Sequence, residues 1–220
     1  MVRQNEQQSN LKRRSFLSII VGVILSPLMP ALSFARRLWP VRSVEKSVPE
    51  FDPASWRLTV AGKVDYPIEL TYDSLKQLPS VQQVNDLDCV EQWSVKKITW
   101  RGVQLRTIIE MSKPQPDARY LIIYCSGGQY TESLTIEQAL SPDVILAYEA
   151  DNKPLEPKHG APLRLVVPRL WAYKSAKWVE RIEFASERHL GYWEQRGYDP
   201  DAGPEKYHGK GKKARPGKQL

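Results

Sequence analysis

Cysteine and histidine are scarce in this sequence, which has two cysteines and three histidines in 220 residues. Two cysteines are too few for the disulfide framework of a small secreted domain. They do not form a Cys-x-x-Cys pair, and zinc and iron–sulfur sites need more thiolate and imidazole ligands than the chain offers. A single thiolate suffices only for a metal whose cofactor supplies the other ligands. Three alternatives therefore remain for Cys89 and Cys125: they form one disulfide bridge, they are two free thiols, or one is a metal ligand and the other a core residue.

The sequence also lacks an uninterrupted apolar segment long enough to cross a bilayer. Residues 16–32 contain no charge but are broken by one glycine and two prolines. Basic residues precede this run at 12–14, and Ser33 and Ala35 place small residues at the offsets of a cleavage site, which predicts an export signal cleaved after Ala35. Residues 13–17, Arg-Arg-Ser-Phe-Leu, resemble the twin-arginine signal, whose pathway exports folded proteins. An ordinary secretory signal and an uncleaved anchor are the alternatives.

A strongly basic face is not expected in the body of the chain, although the net charge is +7. Residues 38–205 contain 20 Lys and Arg against 24 Asp and Glu, so the basic excess lies in the two ends. This distribution argues against nucleic-acid binding. Residues 199–220 are rich in Gly, Pro and Lys, and we expect a solvated, disordered basic tail there, with contact to an anionic membrane surface as the alternative.

Short periodic segments predict the fold class. Apolar and polar residues alternate over 56–60, which is typical of a half-buried strand, and further strands are expected around Ile98 and Trp100 and over 120–125, 144–148, 163–167 and 178–184. Short helices are expected after Thr71, over 105–111, and after Thr135, where Gln138 completes a capping box. The sequence therefore predicts an α+β domain with mixed or antiparallel sheets over residues 56–198, preceded by a signal (1–35) and a linker or N-terminal arm (36–55).

Residues 88–94, Asp-Cys-Val-Glu-Gln-Trp-Ser, are where we expect the chemistry, because a rare thiol lies beside a bulky aromatic between two strand-like segments. Trp93 is the tryptophan we expect near the site, and the others are expected to pack in the core or at its rim. Cys125 lies on an apolar strand and is interpreted as a small core hydrophobe. A bridge between Cys89 and Cys125 is the rival interpretation, and it would exclude metal ligation by Cys89.

Several ordered sequence blocks between Trp56 and Tyr198 carry a family resemblance. The blocks are Trp-Arg-Leu-Thr-Val-Ala-Gly (56–62), Cys-Val-Glu-Gln-Trp-Ser (89–94), Trp-Arg-Gly-Val (100–103), Leu-Ala-Tyr (146–148), His-Gly-Ala-Pro-Leu-Arg-Leu-Val-Val-Pro (159–168), Lys-Ser-Ala-Lys-Trp-Val (174–179) and Gly-Tyr-Trp-Glu (191–194). Together they resemble the molybdopterin-binding domain of the sulfite oxidase-like family, which includes the catalytic subunit of the periplasmic methionine-sulfoxide reductase.

The resemblance implies a set of site residues. Cys89 matches the cysteine whose sulfur binds molybdenum, and Arg164 matches a cofactor-binding arginine. His159 stands where family members have a His or Asn that contacts the pterin. Ser175, Ala176 and Lys177 match a segment that holds the pterin and its phosphate through backbone amides and the lysine charge. Without the resemblance, Arg164 and Lys177 would be interpreted as solvated charges and His159 as a surface loop residue.

Three departures from the family pattern stand out. Asp88 precedes the cysteine where an arginine is common, and residues 127–130 read Gly-Gly-Gln-Tyr where many relatives have Asp-Gly-Tyr. The N-terminal pterin contacts of the methionine-sulfoxide reductase are not recognisable between residues 38 and 55. A Cys-x-x-Cys-His haem motif is also missing, so electrons are expected to pass through a separate partner, such as a membrane haem protein or cytochrome.

The sequence therefore predicts an exported, periplasmic oxidoreductase with a Mo-molybdopterin cofactor. We expect a monomer that transfers an oxygen atom with two electrons at molybdenum bound by Cys89, acting on a small-molecule or sulfoxide substrate. Reduction of an S-oxide and oxidation of a sulfite-like oxyanion both fit this expectation. The alternatives are a non-enzymatic exported binding module that keeps the fold without the metal, and a thiol oxidoreductase that uses Cys89 and Cys125.

Overall fold

The computed structural model describes residues 39–201 and 203, and this part of the chain contains two five-stranded sheets. The first sheet has the strand order β2-β1-β10-β5-β6. Strand β1 pairs in parallel with β10, and the other pairs in this sheet are antiparallel. The strands are β1 (Arg57–Gly62), β2 (Ile68–Thr71), β5 (Tyr120–Cys125), β6 (Thr131–Thr135) and β10 (Val179–Ala185).

The second sheet is antiparallel and has the order β3-β4-β7-β8, with β9 also paired to β7. The strands are β3 (Ser80–Asp88), β4 (Ser94–Gln104), β7 (Ile145–Ala150), β8 (Lys153–Pro154) and β9 (Arg164–Val166). Mixed and antiparallel pairing with few helices confirms the predicted α+β class.

The second sheet has apolar clusters on both of its faces, which explains the continuous apolar run over residues 145–148 of β7. On β7, Leu146 and Tyr148 belong to the large core that the two sheets share, whereas Ile145 and Ala147 belong to a smaller cluster on the other face. Side chains alternate between the faces of a strand, so one strand serves both clusters. The smaller cluster contains the fully buried Trp100, and Trp39 and Trp93 pack against it.

The described part of the chain contains three short α-helices, and α1 and α3 begin where their capping residues predict. These are α1 (Tyr72–Gln77), α2 (Leu105–Ser112) and α3 (Ile136–Ala139). The Thr71 hydroxyl accepts the Ser74 N–H, and Thr135 and Gln138 form the expected capping box. No helix in the described part of the chain is long and apolar enough to span a membrane.

Strands β2, β3, β6 and β8 were not predicted from the sequence. Strand β3 lies at the edge of its sheet, and its apolar residues, Val81, Val84 and Leu87, are three positions apart, so they give no period-two signal. The predicted signal at residues 1–35 lies outside the described residues, as does most of the predicted tail at 199–220. The proposed domain limits remain predictions.

Candidate functional site

A cavity of about 270 Å³ brings together all six residues that the sequence predicts for the site. They come from the turn between β3 and β4, from the turn before β9, from the first residue of β9, and from the segment between β9 and β10. The residues are Cys89, His159, Arg164, Ser175, Ala176 and Lys177. Folding therefore joins one thiol to a group of basic side chains that lie 70 or more positions further along the chain.

Cys89 begins the tight turn between β3 and β4. Its backbone N–H donates to the Trp93 carbonyl over 2.9 Å, and its carbonyl accepts the Gln92 N–H over 3.0 Å. Gln92 adopts a positive φ of 66°, which closes the turn. The sulfur is half-buried, and burial raises the pKa of the thiol above its ordinary value. Trp93 lines the cavity, as the sequence predicts.

Asp88, which the family pattern left unexplained, is held by neighbours on β4. Its carboxylate accepts a hydrogen bond from the Ser94 hydroxyl and lies 3.2 Å from the Lys96 ammonium group. Lys96 also pairs with Asp86 over 3.0 Å. The negative charge beside Cys89 is therefore compensated within the hairpin.

Arg164 and Lys177, which also line the cavity, form no ion pair with a described carboxylate. Arg164 donates to the His159 carbonyl over 2.9 Å, while its buried Nε has no hydrogen-bond partner. Burial lowers the pKa of Arg164 to about 10. Burial and the nearby Arg164 charge lower the pKa of Lys177 to about 7. Two desolvated cations and an unsatisfied donor in one recess fit a bound anion.

Gly160 allows the two cation-bearing segments to come together. Its φ is +115°, and a Cβ at this position would lie 3.2 Å from the Cβ atoms of both Arg164 and Lys177. Arg164 and Lys177 also form an isolated antiparallel bridge. A side chain at position 160 would strain the backbone and push these residues apart.

His159 and Ser175 have structural contacts in addition to their position on the cavity wall. The His159 ring stacks on Trp39 with a centroid distance of 4.1 Å and an interplanar angle of 18°. Burial and the Arg164 charge lower the pKa of His159 to about 4, so its ring is neutral at pH 7. The Ser175 hydroxyl accepts the Val167 N–H over 3.0 Å, which occupies one of its lone pairs.

Residues 39–45, which we call the arm, line the cavity, although no pterin contact was recognisable there from the sequence. Trp39 stacks on His159. Arg42 Nε donates to Glu91 Oε2 over 2.7 Å, and Glu45 Oε1 accepts the N–H groups of Gln129 and Tyr130 over 3.1 and 2.9 Å. The arm lacks the periodicity of a helix or strand, so its position depends on these long-range contacts.

Several aromatic side chains line the cavity together with Cys89. Tyr198 lies 5.0 Å from Trp193 and 5.4 Å from Tyr173 between ring centroids, and all three line the cavity with Trp93. Burial raises the pKa of Tyr198, as do the negative charges of Glu91 and Cys89, which places this ring within electrostatic reach of the thiol.

A fully buried ionic triad ties together the segments around the cavity. Lys174 forms ion pairs with Glu132 and with Glu194, the latter over 2.8 Å, and donates to the Ser133 carbonyl over 2.8 Å. Burial raises the pKa of Glu132 well above its ordinary value. Sequence patterns did not reveal the triad, because its members are 20 to 62 positions apart and carry ordinary surface residue types.

The two cysteines are free thiols that lie in different environments. Cys125 is 2% exposed within the large core, which agrees with its interpretation as a small hydrophobe. Cys89 faces the cavity. The bridge considered as an alternative is not formed.

Comparison with known proteins identifies a family. Residues 45–193 match the family described as oxidoreductase molybdopterin binding domain. Over 147 residues, the chain is 39% identical to the oxidoreductase YuiH of Bacillus subtilis, an alignment that covers 67% of this chain and 74% of that protein.

Two further matches are longer proteins than this one. The protein-methionine-sulfoxide reductase catalytic subunit MsrP of Campylobacter jejuni is 30% identical over 160 residues, which are 66% of this chain and 54% of MsrP. The crystal structure of the sulfane dehydrogenase SoxCD from Paracoccus pantotrophus shares the fold, with a TM-score of 0.58, 22% identity, and coverage of 64% of this chain and 41% of that one. The chain thus spans about half the length of each of these two proteins.

Proposed function

Because the chain belongs to the oxidoreductase molybdopterin-binding domain family, the sulfite oxidase-like group expected from its sequence, we propose that it reduces S-oxides by oxygen-atom transfer. The chain is an enzyme, and its cofactor is Mo-molybdopterin. The observation that carries the proposal is that the Cys89 thiol and the Arg164 and Lys177 cations line the same cavity.

The residues of this cavity fit the cofactor. The buried Arg164 Nε without a partner and the desolvated Lys177 ammonium match the phosphate of a pterin. The Cys89 sulfur, half-buried and unpaired, matches a metal ligand. We propose that Arg164, Lys177 and the backbone of Ser175 and Ala176 hold the phosphate, and that His159 contacts the pterin.

When bound, the cofactor supplies the two-electron oxygen-atom chemistry. The protein binds and orients the substrate. In the proposed reaction the S–O bond breaks, the sulfur is reduced by two electrons, and the oxygen leaves as water after taking up two protons from solvent. A separate electron-transfer protein supplies the electrons, and a membrane haem protein or cytochrome is the class that we propose.

The walls around Cys89 favour a neutral S-oxide over a sulfite-like anion. Glu91 lines the cavity with Cys89 and pairs with Arg42, and Asp88, which precedes Cys89 in sequence, pairs with Lys96. Neither pair leaves much positive potential for an anion. Aromatic rings suit a thioether sulfur, since sulfur and aromatic groups attract each other. The relative named as a methionine-sulfoxide reductase supports the same substrate class.

Elemental and kinetic assays of the purified, cofactor-loaded protein test this function. We expect about one molybdenum per chain, reduction of methyl p-tolyl sulfoxide with reduced benzyl viologen as the electron donor, and no turnover by Cys89→Ser at an unchanged unfolding temperature. Absence of molybdenum from protein made in a cofactor-competent host would contradict the proposal, as would oxidation of sulfite without any reduction of sulfoxide.

We also propose that residues 1–35 direct the folded, loaded protein to the periplasm through the twin-arginine pathway. The proposal rests on the sequence of residues 13–17. Replacement of Arg13 and Arg14 by lysine should retain the protein in the cytoplasm with its molybdenum bound. Continued export of this variant would refute the assignment.

A further inference from the structure

The buried triad of Lys174, Glu132 and Glu194 contains one cation and two carboxyl groups. None of the three side chains has any exposed surface. If both carboxyl groups were ionised, the single ammonium group would leave one negative charge without compensation. Such a charge is strongly unfavourable away from water, and a buried carboxyl group takes up a proton instead.

The other titratable groups around the triad do not supply the missing positive charge. Tyr130, Tyr173 and Cys125 lie within electrostatic reach of the two carboxyl groups, but ionisation would make each of them negative. The His189 ring contacts the Thr131 hydroxyl over 2.8 Å rather than either carboxyl group. Among the described residues, the triad's own lysine is the only cation that pairs with these carboxyl groups. A proton is therefore the group that can balance the charge.

The hydrogen bonds of the triad leave one oxygen on each carboxyl group for this proton. Glu132 Oε1 accepts hydrogen bonds from the Lys174 ammonium group and from the Ser133 N–H, the latter over 2.7 Å. Glu194 Oε1 accepts the Lys174 ammonium group over 2.8 Å. Both Oε2 atoms are buried and accept no hydrogen bond from the rest of the described chain. Two ionised carboxylates only accept, whereas a protonated carboxyl group can donate to its neighbour.

The segment that carries Glu194 packs closely against β6. A Cβ on Gly191 would lie 2.6 Å from Glu194 Oε2 and 2.9 Å from the Cα of Glu132, so only glycine fits there. The Tyr192 N–H donates to the Thr131 carbonyl over 3.0 Å. This approach places the two carboxyl groups on the same ammonium group.

We propose that the triad is a proton-binding site in which Glu132 and Glu194 share one proton through their Oε2 atoms. The shared proton balances the charge of the cluster and holds residues 191–196 against β6. Trp193 of this segment lines the cavity. Loss of the proton leaves two buried carboxylates next to each other and should loosen this part of the cavity wall. The site is independent of the proposed function, because none of its three members lines the cavity.

Infrared spectroscopy of the full-length, cofactor-loaded protein tests for the proton directly. At pH 7 an ordinary Asp or Glu side chain is ionised. We therefore expect a carboxylic-acid C=O band in wild type that is absent from Glu132→Gln, in which a neutral amide replaces the protonated group. A wild-type spectrum without this band would overturn the proposal, as would a band that persists unchanged in Glu132→Gln.

Glu69→Gln is the matched control. Glu69 lies on β2 of the same sheet and pairs with Arg57 over 3.7 Å, but its side chain is 67% exposed. A carboxylate in contact with water needs no proton to balance its charge. The infrared band should therefore remain in this variant.

Thermal unfolding of the same preparations between pH 5 and 8 gives an independent measure. Burial, the Glu194 charge and a hydrogen bond between the two carboxyl groups raise the pKa of Glu132 above its ordinary value of 4.5. The folded protein then keeps a proton that the unfolded chain releases, so stability falls as the pH rises. The unfolding temperature of wild type should fall relative to that of Glu132→Gln by up to about 4 °C per pH unit. Parallel pH profiles of these two proteins would overturn the proposal.

Hydrogen exchange of the Tyr192 amide tests whether the proton holds the segment. Wild type and Glu132→Gln should exchange at the same rate at pH 6. Above the pH at which the infrared band disappears, this amide should exchange at least about tenfold faster in wild type than in the variant at the same pH. Equal rates there would show that the proton does not fasten residues 191–196, and the proposed role would be wrong.

Discussion

At the scale of single residues, Lys177 has the most informative environment. Its ammonium group is desolvated beside Arg164, which lowers its pKa to about 7, and among the described residues its Nζ donates only to the Lys158 carbonyl, over 3.2 Å. A phosphate in the same recess would favour the charged form. Binding of the cofactor and protonation of Lys177 should therefore be coupled.

The coupling predicts that cofactor affinity falls as the pH rises above 7. The unloaded protein then loses the Lys177 proton, and phosphate binding must restore it, which costs up to about tenfold in affinity per pH unit. Lys177→Met should bind weakly with little pH dependence. Equilibrium dialysis of released molybdopterin at pH 6 to 9 measures how the affinity of each protein changes with pH. The same pH dependence in wild type and Lys177→Met would contradict the coupling.

The stability of the unloaded protein should change with pH in the opposite direction. The unfolded chain holds the Lys177 proton up to its ordinary pKa of 10.5, whereas the folded chain releases it near 7. The unfolded state therefore binds more protons between these values, so the free energy of unfolding contributed by this residue rises with pH. Urea unfolding of wild type and Lys177→Met from pH 7 to 10 measures this effect. As the pH rises, the free energy of unfolding of wild type should increase relative to that of the variant.

At the scale of elements, the arm depends on contacts that no local pattern encodes. Glu45 accepts two N–H groups from a turn 84 and 85 positions away, and a Cβ on Gly127 would lie 2.5 Å from its carboxylate. Gly127-Gly128 therefore gives the carboxylate room to reach the turn. The departure from the family pattern at residues 127–130 coincides with this contact.

Replacement of Glu45 by alanine should release the arm from the β5–β6 turn. The Gln129 and Tyr130 amides lose their acceptor, and we expect their hydrogen exchange to accelerate at least about tenfold, as for groups that open locally. Glu45→Gln keeps an acceptor oxygen and should give an intermediate rate. Unchanged exchange in the alanine variant would show that the arm is held without Glu45.

Elements with a strong local signal were predictable, whereas those defined by distant partners were not. Strand β5 was predicted with its observed bounds because Tyr120–Cys125 is a continuous apolar run, and the helix caps followed from Thr71 and Thr135. The edge strand β3 lacks such a run. The six site residues were predicted from the family resemblance, and their meeting in one cavity is a property of the fold.

At the scale of the whole molecule, the Lys174 triad connects β6 to both segments that complete the cavity. Lys174 immediately precedes the Ser175–Lys177 segment, Glu194 follows Trp193, and Glu132 lies on β6 two residues after Tyr130. All three charged side chains are fully buried. Removing one member of such a cluster leaves buried charge without compensation.

Lys174→Met should therefore destabilise the protein by about 3–5 kcal/mol. Lys63→Met removes a lysine that pairs with Asp117 over 2.5 Å at the surface, and it should cost no more than about 1 kcal/mol. Urea denaturation of the two unloaded variants and wild type measures both values. Equal losses would mean that the triad contributes no more than a surface ion pair.

The difference in accessibility between the two thiols allows cofactor loading to be measured by alkylation. Cys125 is enclosed by the core, and burial strongly raises its pKa, so an alkylating reagent should reach Cys89 alone in the native state. Mass spectrometry after brief iodoacetamide treatment should then find one adduct on each chain whose Cys89 sulfur is free and none on chains where it is bound to metal. The fraction of chains without an adduct would count loaded molecules one by one, without a chromophore or an activity assay.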